Sequence, residues 1–158
     1  MIQQSSEKVD WYFAYGSNLS KQQMLRRTGS IPPSRVAWLD HYEFAFRRVL
    51  EGNDVFATIH PKQGAIVHGV AYQCSRHAMM QLDQFEGVAE NCYRRETVEV
   101  TTDLGAILRC IVYIGQAFRD ESAQPSASYW DSIRTGAQEH RLPIEYIDGL
   151  TRLAEQCT

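Results

Sequence analysis

Phe13-Ala14-Tyr15-Gly16-Ser17-Asn18-Leu19 joins an apolar, aromatic segment directly to a tight polar turn, and Ser20-Lys21-Gln22-Gln23 follows at once. Trp11 to Ala14 reads as a first strand, because aromatic residues suit a pleated surface. Ser20 and Gln23 form a Ser-x-x-Gln capping box, with Ser20 accepting from the Gln23 amide and the Gln23 side chain reaching back. The spacing predicts a short helix to about Arg27 that stops at Gly29. Strand, glycine turn and helix start thus come in succession, and the free amides at such a junction suit an anion. Gly16 lacks a Cβ, so its backbone can take positive φ and come close to a ligand. Ser17 and Asn18 offer side chains or amides. An ordinary strand-to-helix connection has the same spacing, since Gly-Ser turns are common.

A loop of this kind needs a chemical partner, and the candidate is Glu86 in Asp83-Gln84-Phe85-Glu86-Gly87-Val88. Ser75 suits the N-cap of a helix through Phe85, with Ala78, Leu82 and Phe85 on one face and Met79 beside them. Gly87 falls where a left-handed C-cap is expected. Glu86 then sits at the negative end of the helix dipole, a poor placement for stability alone that points toward a functional role, although a solvated glutamate fraying off the last turn fits the same position.

The remaining chain reads as alternating strands followed by helices. Pro32-Pro33 punctuates the sequence, and Arg35 to Val49 alternates through Tyr42, Phe44 and Phe46 as one or two strands. Phe56 to Ile59 is expected to be a short strand ended by His60-Pro61, and Ile66 to Tyr72 a separate one. Tyr93 to Thr101 and Ala106 to Ile114 form a hairpin pattern around Asp103-Leu104-Gly105, with Tyr93 and Tyr113 near its two outer ends. Asp120 to Pro125 reads as a polar loop. Ser126 can cap a helix carrying Tyr129, Trp130, Ile133 and Ala137, and Pro143 suits the first turn of a last helix with Ile147, Leu150 and Ala154. Strands and helices are mixed without regular alternation. The expected fold is α+β, a mixed or antiparallel sheet curling toward a small barrel with flanking helices.

At 158 residues the chain suits a single domain, taken as residues 11–158 after a polar extension of residues 1–10. With 44% hydrophobic and 22% charged residues and a net charge of -3, it resembles an ordinary globular protein. Paired arginines at 26–27, 47–48 and 94–95 are offset by acidic residues, which argues against nucleic acid as a partner. No secretory or membrane-spanning pattern is visible, so the expected location is cytoplasmic and no membrane partner is expected. Cys74, Cys92, Cys110 and Cys157 are scattered with no C-x-x-C pair, fitting reduced thiols. Phosphate-binding, dinucleotide, zincin and nucleophile-elbow motifs are absent, and the five histidines show no metal spacing.

Tyr15-Gly16-Ser17-Asn18, then Glu86-Gly87-Val88 with Tyr93 seven residues after the glutamate, resembles the gamma-glutamylcyclotransferase family. Gly136-Ala137-Gln138-Glu139-His140-Arg141-Leu142-Pro143-Ile144-Glu145-Tyr146 is similar to that family's C-terminal helix junction. Ala57-Thr58-Ile59 and His68-Gly69-Val70 match its central strands, so the likeness runs from about Trp11 to Leu153. It implies a small mixed β-barrel, no cofactor, no metal, and a γ-glutamyl amide as small-molecule substrate. It also implies that Tyr15, Gly16, Ser17, Asn18 and Leu19 bind the glutamyl head group, that Glu86 is the acid/base, and that Tyr93 and Tyr113 line the pocket. The implied reaction is attack of the substrate's α-amine on its own γ-carbonyl, giving 5-oxoproline and a free amine or amino acid.

For Glu86 to hold the proton it must be buried and raised above the usual carboxylate range, and Phe85, Val88 and Tyr93 are the expected apolar surroundings. The loop departs from the Tyr-Gly-Ser-Leu version of the glutathione-specific group, which argues against glutathione as substrate. A homodimer is also implied, although no helix carries an apolar face plainly surplus to the core. Two other readings stay open: a non-catalytic module for a carboxylate-bearing ligand, and a cyclotransferase specialised for γ-glutamyl amines or a γ-glutamyl-protected intermediate.

Overall fold

Two long strands, β2 (Ser34–Val49) and β3 (Val55–Ser75), form a hairpin that supplies one wall of the molecule. The computed structural model describes residues 8–156; Cys157 and most of the expected N-terminal extension lie outside them. The other strands are β1 (Val9–Ala14), β4 (Tyr93–Thr102), β5 (Ile107–Gly115) and β6 (Phe118–Ser122). They are accompanied by α1 (Lys21–Thr28), α2 (Arg76–Phe85), α3 (Ala127–Glu139) and α4 (Ile144–Glu155). The strand order is β3-β1-β5-β4-β2-β6, and the β2–β3 pairing closes the first five into a barrel. Among the described residues only β1 and β5 pair in parallel, with Tyr12 opposite Ile111.

The expected mixed barrel with flanking helices is what forms. The core, on both faces of the sheet, holds Phe13, Ile59, Val67, Val70, Tyr72, Val100 and Val112, all essentially inaccessible to water. Closure removes most free sheet edges, and alternation places every second residue of each strand inside.

Three expectations are corrected. His60-Pro61 does not end a strand: β3 runs on through it, paired to β2 from Val55 opposite Arg48 to Tyr72 opposite Ser34. The register breaks between Asp40 and Tyr42, where residues 62–65 stand opposite His41 alone. His41 takes φ 64, and its Nδ1 accepts from the Gly64 amide at 3.1 Å. A bulge of this kind absorbs a proline that would interrupt a regular ladder. Second, part of the expected loop 120–125 is strand: β6 adds to the free edge of β2, with Val49 opposite Phe118 and Arg47 opposite Ser122. An edge strand needs only backbone pairing, so its exposed polar side chains gave no alternation to read. Third, β1 begins at Val9, opposite Ser75, two residues before Trp11.

The helix signals hold more closely. Ser20, Ser75 and Ser126 each accept from the amide three residues on, at 3.1–3.2 Å. Gly29 is left-handed at φ 82 and Gly87 at φ 62. The hairpin of β4 and β5 keeps one register from Tyr93 opposite Gly115 to Thr101 opposite Ile107. This positions the site: the start of β4, the end of β5, the end of β1 and the C-terminus of α2 meet at one end of the barrel.

Candidate active site

The chain leaves β1 at Ala14 and turns through a single 3-10 turn, Ser17–Leu19, before α1. Leu19 and Ser20 amides donate to the Gly16 and Ser17 carbonyls at 3.0 and 3.1 Å, so the turn opening leaves the Ser17 and Asn18 amides without acceptors inside it. Gly16 has φ -114 and does not use the positive range open to glycine. A Cβ there would lie 3.4 Å from the Ala57 Cβ and 3.8 Å from the Tyr129 hydroxyl, ordinary contact distances.

Leu19 is the one predicted binding residue that does not face the site. Its side chain is completely buried in the core, while its carbonyl faces His140 Nε2 at 3.0 Å. The Tyr72 hydroxyl donates to the Asn18 carbonyl at 2.9 Å. Leu19 therefore anchors the turn, with Tyr72 and His140 fixing its backbone from beneath.

Tyr15, Gly16, Ser17, Asn18, Glu86, Tyr93 and Tyr113 do come together, around a narrow cavity of about 30 Å³. Its remaining lining, Tyr12, Ala57 and Tyr129, was not assigned to the site from sequence. The available signal was chemical: a tyrosine pointing into a barrel interior must find a hydrogen-bond partner. The Tyr15 hydroxyl donates to the Tyr113 carbonyl at 2.6 Å and the Tyr93 hydroxyl to the Ala57 carbonyl at 2.7 Å. The Tyr129 hydroxyl accepts from the Ala57 amide at 2.9 Å. Tyr113 donates to Asp83 Oδ1 at 2.6 Å, and Arg95 clamps the same carboxylate with two contacts of 2.7 Å. Burial pushes all five tyrosine hydroxyls upward, so they stay protonated.

Glu86 is the ionisable group at the cavity wall. Asn18 Nδ2 donates to its Oε1 at 3.2 Å, and Arg27 Nη1 lies 3.6 Å from the same oxygen. Burial raises its carboxyl to about 7, against the lowering effects of Arg27 and the Asn18 hydrogen bond, and Asp83 adds a smaller upward push. Desolvation outweighs a nearby cation because the tyrosine-lined wall excludes water. Of the surroundings expected, Tyr93 lines the cavity and the other two do not. Phe85 is 55% exposed and stacks under the Arg27 guanidinium, 4.9 Å from its ring centre, and Val88 is absent from the cavity lining.

The cavity shares Ser17, Glu86, Tyr93 and Tyr129 with a larger groove of about 610 Å³. A ligand can thus place its reacting end against Glu86 and extend outward. Among the described residues, no group of three or more His, Cys, Asp or Glu is arranged to hold a metal ion. No helix there is long and apolar enough to cross a membrane.

The profile of the AIG2-like family matches residues 66–150, more than half the chain and the segment that carries Glu86, Tyr93 and Tyr113. Human gamma-glutamylcyclotransferase is 33% identical over 144 residues, covering 88% of this chain and 76% of the human protein. The chain belongs to the gamma-glutamylcyclotransferase family. The bovine enzyme of the same name is 34% identical over 140 residues, covering 85% of this chain and 73% of its own. A solved gamma-glutamyl cyclotransferase structure superimposes with a TM-score of 0.84 at 32% identity, covering 91% of this chain and 87% of the other. Membership of an enzyme family sets aside the non-catalytic binding module, and gamma-glutamylcyclotransferase activity is the function of the chain.

Proposed function

We propose that Glu86 carries the proton in conversion of a γ-glutamyl amide to 5-oxoproline, with the Tyr15–Asn18 turn holding the glutamyl head group. The supporting observation is a carboxyl raised to about 7 while hydrogen-bonded to the turn itself through Asn18. A group poised near neutral pH can both take and return a proton.

The substrate's α-ammonium gives its proton to Glu86, and the freed amine attacks the γ-carbonyl. A carbon–nitrogen bond forms and the carbonyl oxygen becomes an oxyanion. Glu86 returns that proton to the leaving nitrogen, the oxyanion reforms the carbonyl as the original amide bond breaks, and the second proton of the ring nitrogen passes through Glu86 to the departing amine, so the products are 5-oxoproline and an ammonium. Nucleophile and electrophile are already tethered, so the site's contribution is to hold the folded-back conformer, an orientation effect of up to ~7–11 kcal/mol. The Ser17 and Asn18 amides face the substrate carboxylate, and donors of the same turn serve the oxyanion. Phosphate is a poor alternative ligand, because ionised Glu86 repels it while attracting the ammonium of a zwitterion.

A cytoplasmic setting fits the free Cys74, Cys92 and Cys110, which form no disulfide. The test is 5-oxoproline release from a γ-glutamyl amino acid by the wild type and Glu86→Gln. The variant is expected to lose ~10²–10⁴-fold in turnover with its circular dichroism unchanged. Near-normal turnover would exclude Glu86 as the proton carrier.

A further inference from the structure

The groove outside the cavity receives the part of the substrate that departs, and its charges are unevenly placed. Among the described residues that line it, Arg27 is the one cation, and Glu51, Glu86 and Glu90 are its carboxylates. The Arg27 side chain is 23% exposed, rests on the Phe85 ring and donates from Nη1 to Asn18 Oδ1 at 3.2 Å. A guanidinium has five N–H donors in a rigid fork, which suits a carboxylate. Phe56, Leu50 and Phe118 supply apolar wall.

We propose that Arg27 binds the α-carboxylate of the leaving amino acid, so that the groove selects γ-glutamyl derivatives of apolar α-amino acids over γ-glutamyl amines. The inference rests on the cyclisation reading, because it takes Glu86 to be the group that protonates the leaving nitrogen. An α-carboxylate is two bonds from that nitrogen. A guanidinium 3.6 Å from Glu86 Oε1 therefore stands within reach of it. An amine lacking the carboxylate reaches the same wall and leaves the remaining donors of Arg27 unmatched.

Glu51 and Glu90 pull the other way, toward a cationic leaving group. Both are exposed, where water and salt screen them, whereas Arg27 is held against an aromatic ring. Their effect is to disfavour acidic side chains on the leaving amino acid without cancelling the pull of Arg27.

The test compares γ-glutamyl-leucine with γ-glutamyl-3-methylbutylamine, which differ only by the carboxylate, by kcat/KM for 5-oxoproline release. The wild type is expected to favour the leucine compound by about 10- to 100-fold, the range for one charge-assisted contact. Arg27→Gln should bring the ratio close to one, and Arg27→Lys should restore part of it. Because both substrates meet the same Glu86, any change in its proton affinity cancels in the ratio. An unchanged ratio in Arg27→Gln, or a wild type indifferent to the carboxylate, overturns the role of Arg27 while leaving cyclisation standing. No 5-oxoproline from either compound with the wild type overturns both.

Discussion

Asn18 donates from Nδ2 to Glu86 Oε1 across 3.2 Å, linking two residues 68 positions apart in the chain. The same nitrogen donates to the Tyr12 hydroxyl at 2.9 Å, while Oδ1 accepts from Gln23 Nε2 at 3.1 Å and Arg27 Nη1 at 3.2 Å. A side-chain amide has two donors and two acceptor sites, and all four are used. Turning the amide over would set its NH₂ against two other donors. The orientation is therefore determined, and with it the position of the Glu86 carboxyl.

Asn18→Asp keeps the shape and removes both donors. It also places a carboxylate beside Glu86, which raises the proton affinity of Glu86 further. In the wild type kcat/KM is expected to rise with pH through about 7 as Glu86 ionises. In the variant that limb moves to higher pH, and the plateau falls about 10- to 100-fold, the usual cost of stranding buried polar partners. A pH–rate profile with an unmoved limb would show that Asn18 does not act on Glu86.

Stability carries the opposite imprint of the same carboxyl. Folding raises Glu86 from 4.5 to about 7, so between those values the folded protein binds a proton that the unfolded chain has released. Stability then falls as pH rises across that window, and the cost is fully present above about 7. Glu86→Gln cannot ionise. It is expected to be more stable than the wild type at pH 8 by roughly 2–3 kcal/mol, with the gain vanishing below about pH 4.5. Urea denaturation at pH 8 and pH 4 measures the difference, and a gain independent of pH would contradict this account.

Gly136 on α3 touches the turn that carries Leu19. A Cβ at this position would overlap the Leu19 carbonyl carbon and the Ser20 nitrogen, and would lie 2.7 Å from the Leu19 Cβ. Backbone atoms cannot step aside as a flexible side chain can. Gly136→Ala should cost at least the ~1–3 kcal/mol usual for overpacking and should impair turnover by displacing the turn. A Tm equal to that of the wild type would mean that α3 shifts freely, against the packing described.

Much of the local structure around the site was legible because it follows from short-range chemistry. Ser20 caps α1, and Gly87 is left-handed after α2, as their positions imply. The capping box is half made: the Gln23 amide donates to Ser20, but the Gln23 side chain turns to the Ser17 hydroxyl at 2.5 Å and to Asn18. The Ser20 amide already donates to the Ser17 carbonyl at 3.1 Å, which leaves the Gln23 side chain to the turn. Leu19 was misassigned for a related reason. Within the motif it is contiguous with the binding residues, yet a 3-10 turn rotates its side chain away from Ser17 and into the core. Arg27 gave no signal at all, since an arginine in the last turn of a short helix is equally suited to the helix dipole.

The sequence by itself determined where the helix caps and most strand segments lie, which turn is suited to an anion, and that a glutamate waits at a helix end. Each is decided by a few neighbouring residues through steric limits, hydrogen-bond chemistry and alternation. Only the tertiary structure decided that the turn and Glu86 are partners, that tyrosines from β1, β4, β5 and α3 enclose them, and that Arg27 faces the groove. Those relations depend on barrel closure, which brings together residues far apart in the chain. The proton affinity of Glu86 depends on it too, because desolvation is a property of the assembled wall and of no residue alone.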